Sequence, residues 1–204
     1  MHLKIQKKFE HDKSSQVILD NHCWGVLSDR TLLPLFPIPY EGEIDEPSAA
    51  ELIAALESQA RARLLKYLAE REHSSTQCRD LLARKHLHPS LSKKIIADYE
   101  NKKYIDDTRF TNLLITSLIE RGKSKPQIVG KLIELKLPET LWRGILNELY
   151  KPEVSLESLQ EMVLKLRLRY AELPLAKQRD KIYSSLARKG FDFDLICAAW
   201  HATE

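Results

Sequence analysis

The chain has few of the residues that most enzymes and secreted scaffolds depend on. It holds six glycines in 204 residues, scattered singly. A phosphate-cradling loop needs several close together, so nucleotide binding of that kind is not expected. Its three cysteines, Cys23, Cys78 and Cys197, are odd in number and far apart, which suits neither a disulfide framework nor a zinc site. Cys78 and Cys197 sit in apolar helical patterns and read as buried thiols in a reducing compartment. Aromatics are 7% of the residues, and with so little glycine this favours helices over a sandwich or barrel. No apolar run approaches the roughly 20 residues that cross a bilayer. Met1-His2-Leu3-Lys4 lacks the apolar stretch of a signal peptide. A cytoplasmic protein without membrane contact is expected.

What the chain does have is charge, unevenly placed. Residues 1–60 carry five Lys/Arg against ten Asp/Glu, whereas residues 61–136 carry seventeen against nine. Nucleic acid or an acidic protein surface would select such a basic stretch.

Hydrophobic periodicity divides the chain. Val17-Ile18-Leu19 and Trp24-Gly25-Val26-Leu27 are β-prone runs around an Asp20-Asn21-His22 turn. Leu3, Ile5 and Phe9 are candidates for a further strand. Pro34, Pro37 and Pro39 predict an extended linker. From Glu46 the period becomes helical. Ser48 and Glu51 have capping-box spacing, and Leu52, Leu56, Ala60, Leu64 and Leu68 share one face of a helix expected to end near Arg71. Ser74 and Gln77 open a second helix that stops near His86, and a third follows Pro89. Asp106-Asp107, Ser124 with Gln127, and Pro138 open three more. The last three begin near Ser155, after the break at Pro174, and at Asp192, with Gly190 as a helix-ending glycine.

These helices repeat. Cys78, Leu82, Leu87, Leu91 and Ile95 match Ile128, Leu132, Leu137, Leu141 and Ile145 at a shift of 50 residues, and Ile182, Leu186, Phe191, Leu195 and Ala199 at a further 54. The Ser-x-x-Gln caps match at the same shift of 50. The expected fold is mainly α: three tandem three-helix repeats in an elongated array, behind a short β-rich N-terminal extension. The expected bounds are 1–45 for the hairpin and Pro-rich linker, then 46–103, 104–152 and 153–204 for the repeats.

Several segments resemble the RecX family, bacterial regulators of the RecA recombinase. They are Arg71-Glu72-His73-Ser74, Lys85-His86-Leu87, Tyr104-Ile105-Asp106-Asp107-Thr108-Arg109-Phe110, Arg121-Gly122-Lys123 with Pro126, and Leu186-Ala187-Arg188-Lys189-Gly190-Phe191. The resemblance runs from about residue 48 to 202. Lys103 and His86 stand where the family has glycine, so altered helix termination is expected there. The resemblance implies binding to the RecA–DNA filament, with reduced filament growth, ATP hydrolysis and strand exchange.

No metal, cofactor or catalytic residue is predicted. His86 and His88 lack carboxylate or cysteine company, and Asp106 and Asp107 read as helix-capping residues rather than an acid–base pair. The candidate contacts are basic: Arg79, Arg84, Lys85, Lys93, Lys94, Lys102, Lys103, Arg109, Arg121, Lys123, Lys125 and Lys131. Arg109 reads equally as a surface contact or as a partner of the neighbouring carboxylates. The first functional reading is a monomeric modulator, mostly an inhibitor, of RecA, with direct contact to single- or double-stranded DNA open. The alternative is a helical-repeat DNA-binding module independent of RecA. An enzyme would need a cluster of titratable groups that the sequence does not supply.

Overall fold

Alternation in the first 43 residues builds a sheet. The computed structural model describes residues 1–7, 9 and 11–203, with only the backbone of 152–155. Strands β1 (His2–Gln6), β2 (Ser14–Leu19), β3 (His22–Ser28) and β4 (Tyr40–Glu43) pair antiparallel in the order β3-β2-β1-β4. Leu3 opposite Leu19 and Ile5 opposite Val17 turn one apolar face inward. The β2–β3 turn is tighter than expected. Only Asp20 and Asn21 take it, at φ +46° and +66°, and His22 already belongs to β3. Two successive left-handed residues are what a two-residue hairpin matched to strand twist requires. Phe9 lies outside any strand. The short helix α1 (Asp29–Leu32), capped by Ser28, precedes the expected Pro34–Pro39 linker, and the fourth strand follows it.

Among the described residues nine longer helices follow: α2 (Glu46–Glu70), α3 (Ser75–Arg84), α4 (Pro89–Asn101), α5 (Asp107–Glu120), α6 (Lys125–Glu134), α7 (Glu139–Leu149), α8 (Pro152–Arg169), α9 (Leu175–Arg188) and α10 (Phe193–His201). The start of α2 corrects the expected Ser48 cap. Asp45 is the N-cap, and its carboxylate accepts from the Ser48 amide at 3.0 Å. Pro47, which has no amide to donate, fits the first turn and lets the helix begin earlier. Ser74 and Gln77 form the expected capping box on α3. At α6 the Ser124 amide donates to Gln127 Oε1 at 3.2 Å, as the Ser74 amide does to Gln77.

The chain forms two compact units, residues 1–107 and 108–204. In the first, one core takes Leu3, Ile5, Val17, Leu19 and Leu27 from the sheet with Leu52, Leu56, Leu64, Leu82, Ile95 and Ile96 from the helices. The β-rich extension therefore shares its core with the first three helices. Gly25 permits the closest approach, since a Cβ there would lie 2.6 Å from Leu56 Cδ2. Trp24 stacks on His88 at 4.4 Å, and the Trp24 carbonyl accepts from the His88 amide at 3.0 Å. In the second unit, α5–α7 enclose a cluster around Phe110, Ile115, Ile128, Leu132 and Trp142. Helices α8–α10 enclose another around Leu159, Val163, Ile182, Leu186 and Trp200.

Helix termination also corrects an expectation. His86 and Lys103 do not alter the geometry that glycine would give. Both are left-handed, at φ +57° and +60°, and so is Lys136 at +55°. Leu87 donates to the Leu82 carbonyl and His86 to that of Ala83, a Schellman ending. The same bonds run from Leu137 to Leu132 and Lys136 to Ile133, and from Phe191 to Leu186 and Gly190 to Ala187. Each ending buries the apolar pair that it joins.

Candidate functional site

Twelve basic side chains separate by whether an acid lies within reach. In the first unit, Lys94 donates to Glu57 at 2.8 Å and Lys102 to Asp98 at 3.1 Å. Arg61 joins these pairs, bonding Glu57 at 2.8 Å and also Asp98. Lys94 and Arg61 together hold the Glu57 carboxyl below its ordinary pKa, and Arg61 and Lys102 do the same to Asp98. This network fastens α2 to α4, so Lys94 and Lys102 have structural work there. Lys103 lies 3.8 Å from Asp106.

Arg79, Arg84, Lys85 and Lys93 are exposed and lie in no ion pair among the described residues. All four belong to α3, its C-terminal end and the first turns of α4. Arg79 and Lys93 flank one groove over Ala83, Leu87, Pro89 and Ser92. Lys85 reaches a separate crevice with Arg63, a residue the sequence reading did not select. Arg84 Nε donates to the Asp80 carbonyl of its own helix at 3.3 Å.

In the second unit, Arg109 is half-buried near the start of α5, and it takes part in local interactions there. Arg121 and Lys123 follow α5 and are exposed, without an ion pair among the described residues. Lys125 donates to Asn147 at 3.0 Å, and Lys131 is paired with Glu134 at 2.7 Å.

Two of the recognisable motifs meet in space. Asp107 accepts from the Ser75 amide and from Ser75 Oγ, both at 2.7 Å. Ser75 is the first residue of α3, so Asp107 caps a helix 32 residues earlier in the chain. Beside it His73, 1% exposed, stacks on Tyr67 at 3.5 Å with Nδ1 3.2 Å from Gln77 Oε1. Burial holds the His73 imidazole below its ordinary pKa. Burial also pushes the Cys78 thiol up to about 12, which keeps it protonated and a poor nucleophile at neutral pH. Tyr104 packs edge-on to Tyr99, Ile105 closes the first core and Phe110 enters the next.

Residues 153–200 match the family model described as RecX, third three-helix domain. The chain is similar to several proteins named regulatory protein RecX. It is 26% identical over 165 residues to the regulatory protein RecX of Listeria monocytogenes, covering 80% of this chain and 59% of that relative. Against the regulatory protein RecX of Bacillus licheniformis it is 25% identical, covering 98% of this chain and 76% of the relative. The matched stretch thus spans well under two thirds of the Listeria protein. A crystal structure of regulatory protein RecX shares the fold with a TM-score of 0.65 at 22% identity, over 95% of this chain and 96% of that one. The RecX crystal structure from Lactobacillus salivarius also gives 0.65, at 21% identity over 74% of this chain and 97% of that one. Among the described residues no helix is long and apolar enough to cross a membrane.

Proposed function

We propose that this chain modulates the RecA recombinase, mostly as an inhibitor, by binding the RecA–DNA filament and limiting its extension, ATP hydrolysis and strand exchange. Similarity to the RecX third three-helix domain over residues 153–200, and to relatives named regulatory protein RecX, supports this reading. Its relatives are named regulatory proteins, which fits a binding role without chemistry of its own. The exposed cations without acidic partners, Arg79, Arg84, Lys85 and Lys93 in one unit and Arg121 and Lys123 in the other, supply the attraction. In this reading residues 46–103, 104–152 and 153–204 act as three successive binding repeats of a cytoplasmic monomer. Inhibition is steric and electrostatic: the bound repeats bridge filament subunits and obstruct turnover.

The test is ATP hydrolysis by RecA on single-stranded DNA with the chain at severalfold excess over filament sites. Reduced hydrolysis is expected, and unchanged hydrolysis contradicts the proposal. Charge reversal belongs at Arg79, Lys93, Arg121 and Lys123. Reversal at Lys94 would also break the Glu57 pair and confuse binding with stability. The second reading, DNA binding independent of RecA, is favoured by the same cations. It requires binding to naked DNA that falls linearly in log affinity against log salt. Absence of binding at low salt removes it.

A further inference from the structure

The groove between α3 and α4 contains an unmet polar group. Ser92 lines it and is 6% exposed, and its Oγ has no hydrogen-bond partner among the described residues. A buried hydroxyl without a partner is destabilising. The floor is otherwise apolar, made by Ala83, Leu87 and Pro89, and Arg79 and Lys93 stand on the rim. Arg79 makes one long hydrogen bond, 3.4 Å to Ser75 Oγ, and Lys93 lies in no ion pair among the described residues.

The other repeats carry different side chains at the matched positions. At a shift of 50, Ser92 becomes Trp142, which is 7% exposed and donates from Nε1 to the Leu137 carbonyl at 3.2 Å. Lys93 becomes Arg143, which lies 3.5 Å from Glu139. At a further 54, Arg79 and Lys93 become Tyr183 and Cys197, whose Oη and Sγ are 3.2 Å apart, and Phe193 packs edge-on to Tyr183. The first repeat sets two cations and a buried hydroxyl around this place, a combination that the matched positions of the other repeats do not have.

We propose that this groove docks an acidic segment of a partner protein through one apolar side chain next to a carboxylate. The apolar side chain lies on Leu87 and Pro89, and the carboxylate sits between Arg79 and Lys93. A nucleic-acid strand fits less well. Its phosphates have no use for an apolar floor, and no lining residue is aromatic for a base to stack on. The proposal goes beyond the functional reading above, because it is drawn from the groove's own residues.

The test titrates the full ¹⁵N-labelled chain with an acetylated, amidated peptide Gly-Asp-Leu-Asp-Phe-Gly and follows backbone amide shifts. A second peptide carries Lys for both Asp. Saturable shifts confined to Arg79, Ala83, Leu87, Ser92 and Lys93 are expected with the acidic peptide alone. Arg79→Glu and Lys93→Glu, both at exposed sites, weaken binding by roughly tenfold each. Ser92→Trp, which copies Trp142, abolishes it, and Ser92→Val removes the hydroxyl in case the larger residue does not fold. No saturable shifts, or equal shifts with the Lys peptide, would overturn the proposal. So would a single-stranded oligonucleotide that moves these amides where the acidic peptide does not. No recombinase is present, so a failure here is distinct from a failure in the RecA assay.

Discussion

Helices α3–α4 and α6–α7 follow one plan, and they differ at Ser92 and Trp142. Both pairs end their first helix with a Schellman turn, and both open it with a serine whose amide bonds a glutamine three residues on. Yet α6–α7 carries a buried indole at the matched position, whereas α3–α4 carries a buried hydroxyl beside two exposed cations. The first pair leans on a sheet and on α2 for its core, so it can leave a groove face open. The second pair shares its core only with α5 among the described residues, and its tryptophan carries much of that core. A repeat with outside support is freer to spend its surface on a partner.

The largest effect is expected where that support is lacking. Trp142→Ala should cost about 3–5 kcal/mol, measured by denaturant unfolding, because it removes a buried indole and leaves a cavity. A loss below 1 kcal/mol would erase the contrast between the repeats. Asp107→Ala should cost about 1.5–3 kcal/mol, since it strips two charge-assisted bonds from the start of α3. Ser92→Ala should do the opposite and stabilise by about 1 kcal/mol, as an orphaned hydroxyl leaves the interior. His86→Gly, Lys103→Gly and Lys136→Gly should each gain up to about 1 kcal/mol, because glycine takes the left-handed conformation without strain but loses more chain entropy.

The smallest effect concerns pH. Glu57 and Asp98 have carboxyls held below their ordinary pKa by Lys94, Arg61 and Lys102. Their stabilising contribution is therefore present above the unfolded carboxylate range near pH 4 and is lost as pH falls below it, through the lower folded values. Thermal midpoints between about pH 6 and 3 should fall more steeply in the native chain than in Glu57→Gln.

Much of the helical plan was legible because its signals are local. The 50-residue match predicted the buried positions Cys78, Leu82, Ile128 and Leu132, and Ser74 with Gln77 marked a true cap. Strand β4 was not legible: four residues with alternating half-burial beside three prolines carry little pattern, and it pairs with β1 nearly 40 residues away. Left-handed His86 and Lys103 were misread because composition favours glycine there. The apolar pair Leu82 and Leu87, five residues apart and both buried, was the available signal for the first of these endings. Which cations are neutralised could not be read at all. Lys94 and Glu57 are 37 residues apart, and only the packing of α4 on α2 joins them. Of twelve basic candidates, the structure therefore separates those with structural partners from those still available to a partner.

The central claim is regulation of RecA, and the most direct measurement is the rate of ATP hydrolysis by RecA on single-stranded DNA as this chain is added. The account predicts a progressive fall in rate, weakened when Arg79, Lys93, Arg121 and Lys123 are reversed to Glu with the fold intact by circular dichroism. A rate that stays constant at severalfold excess over filament sites would contradict it.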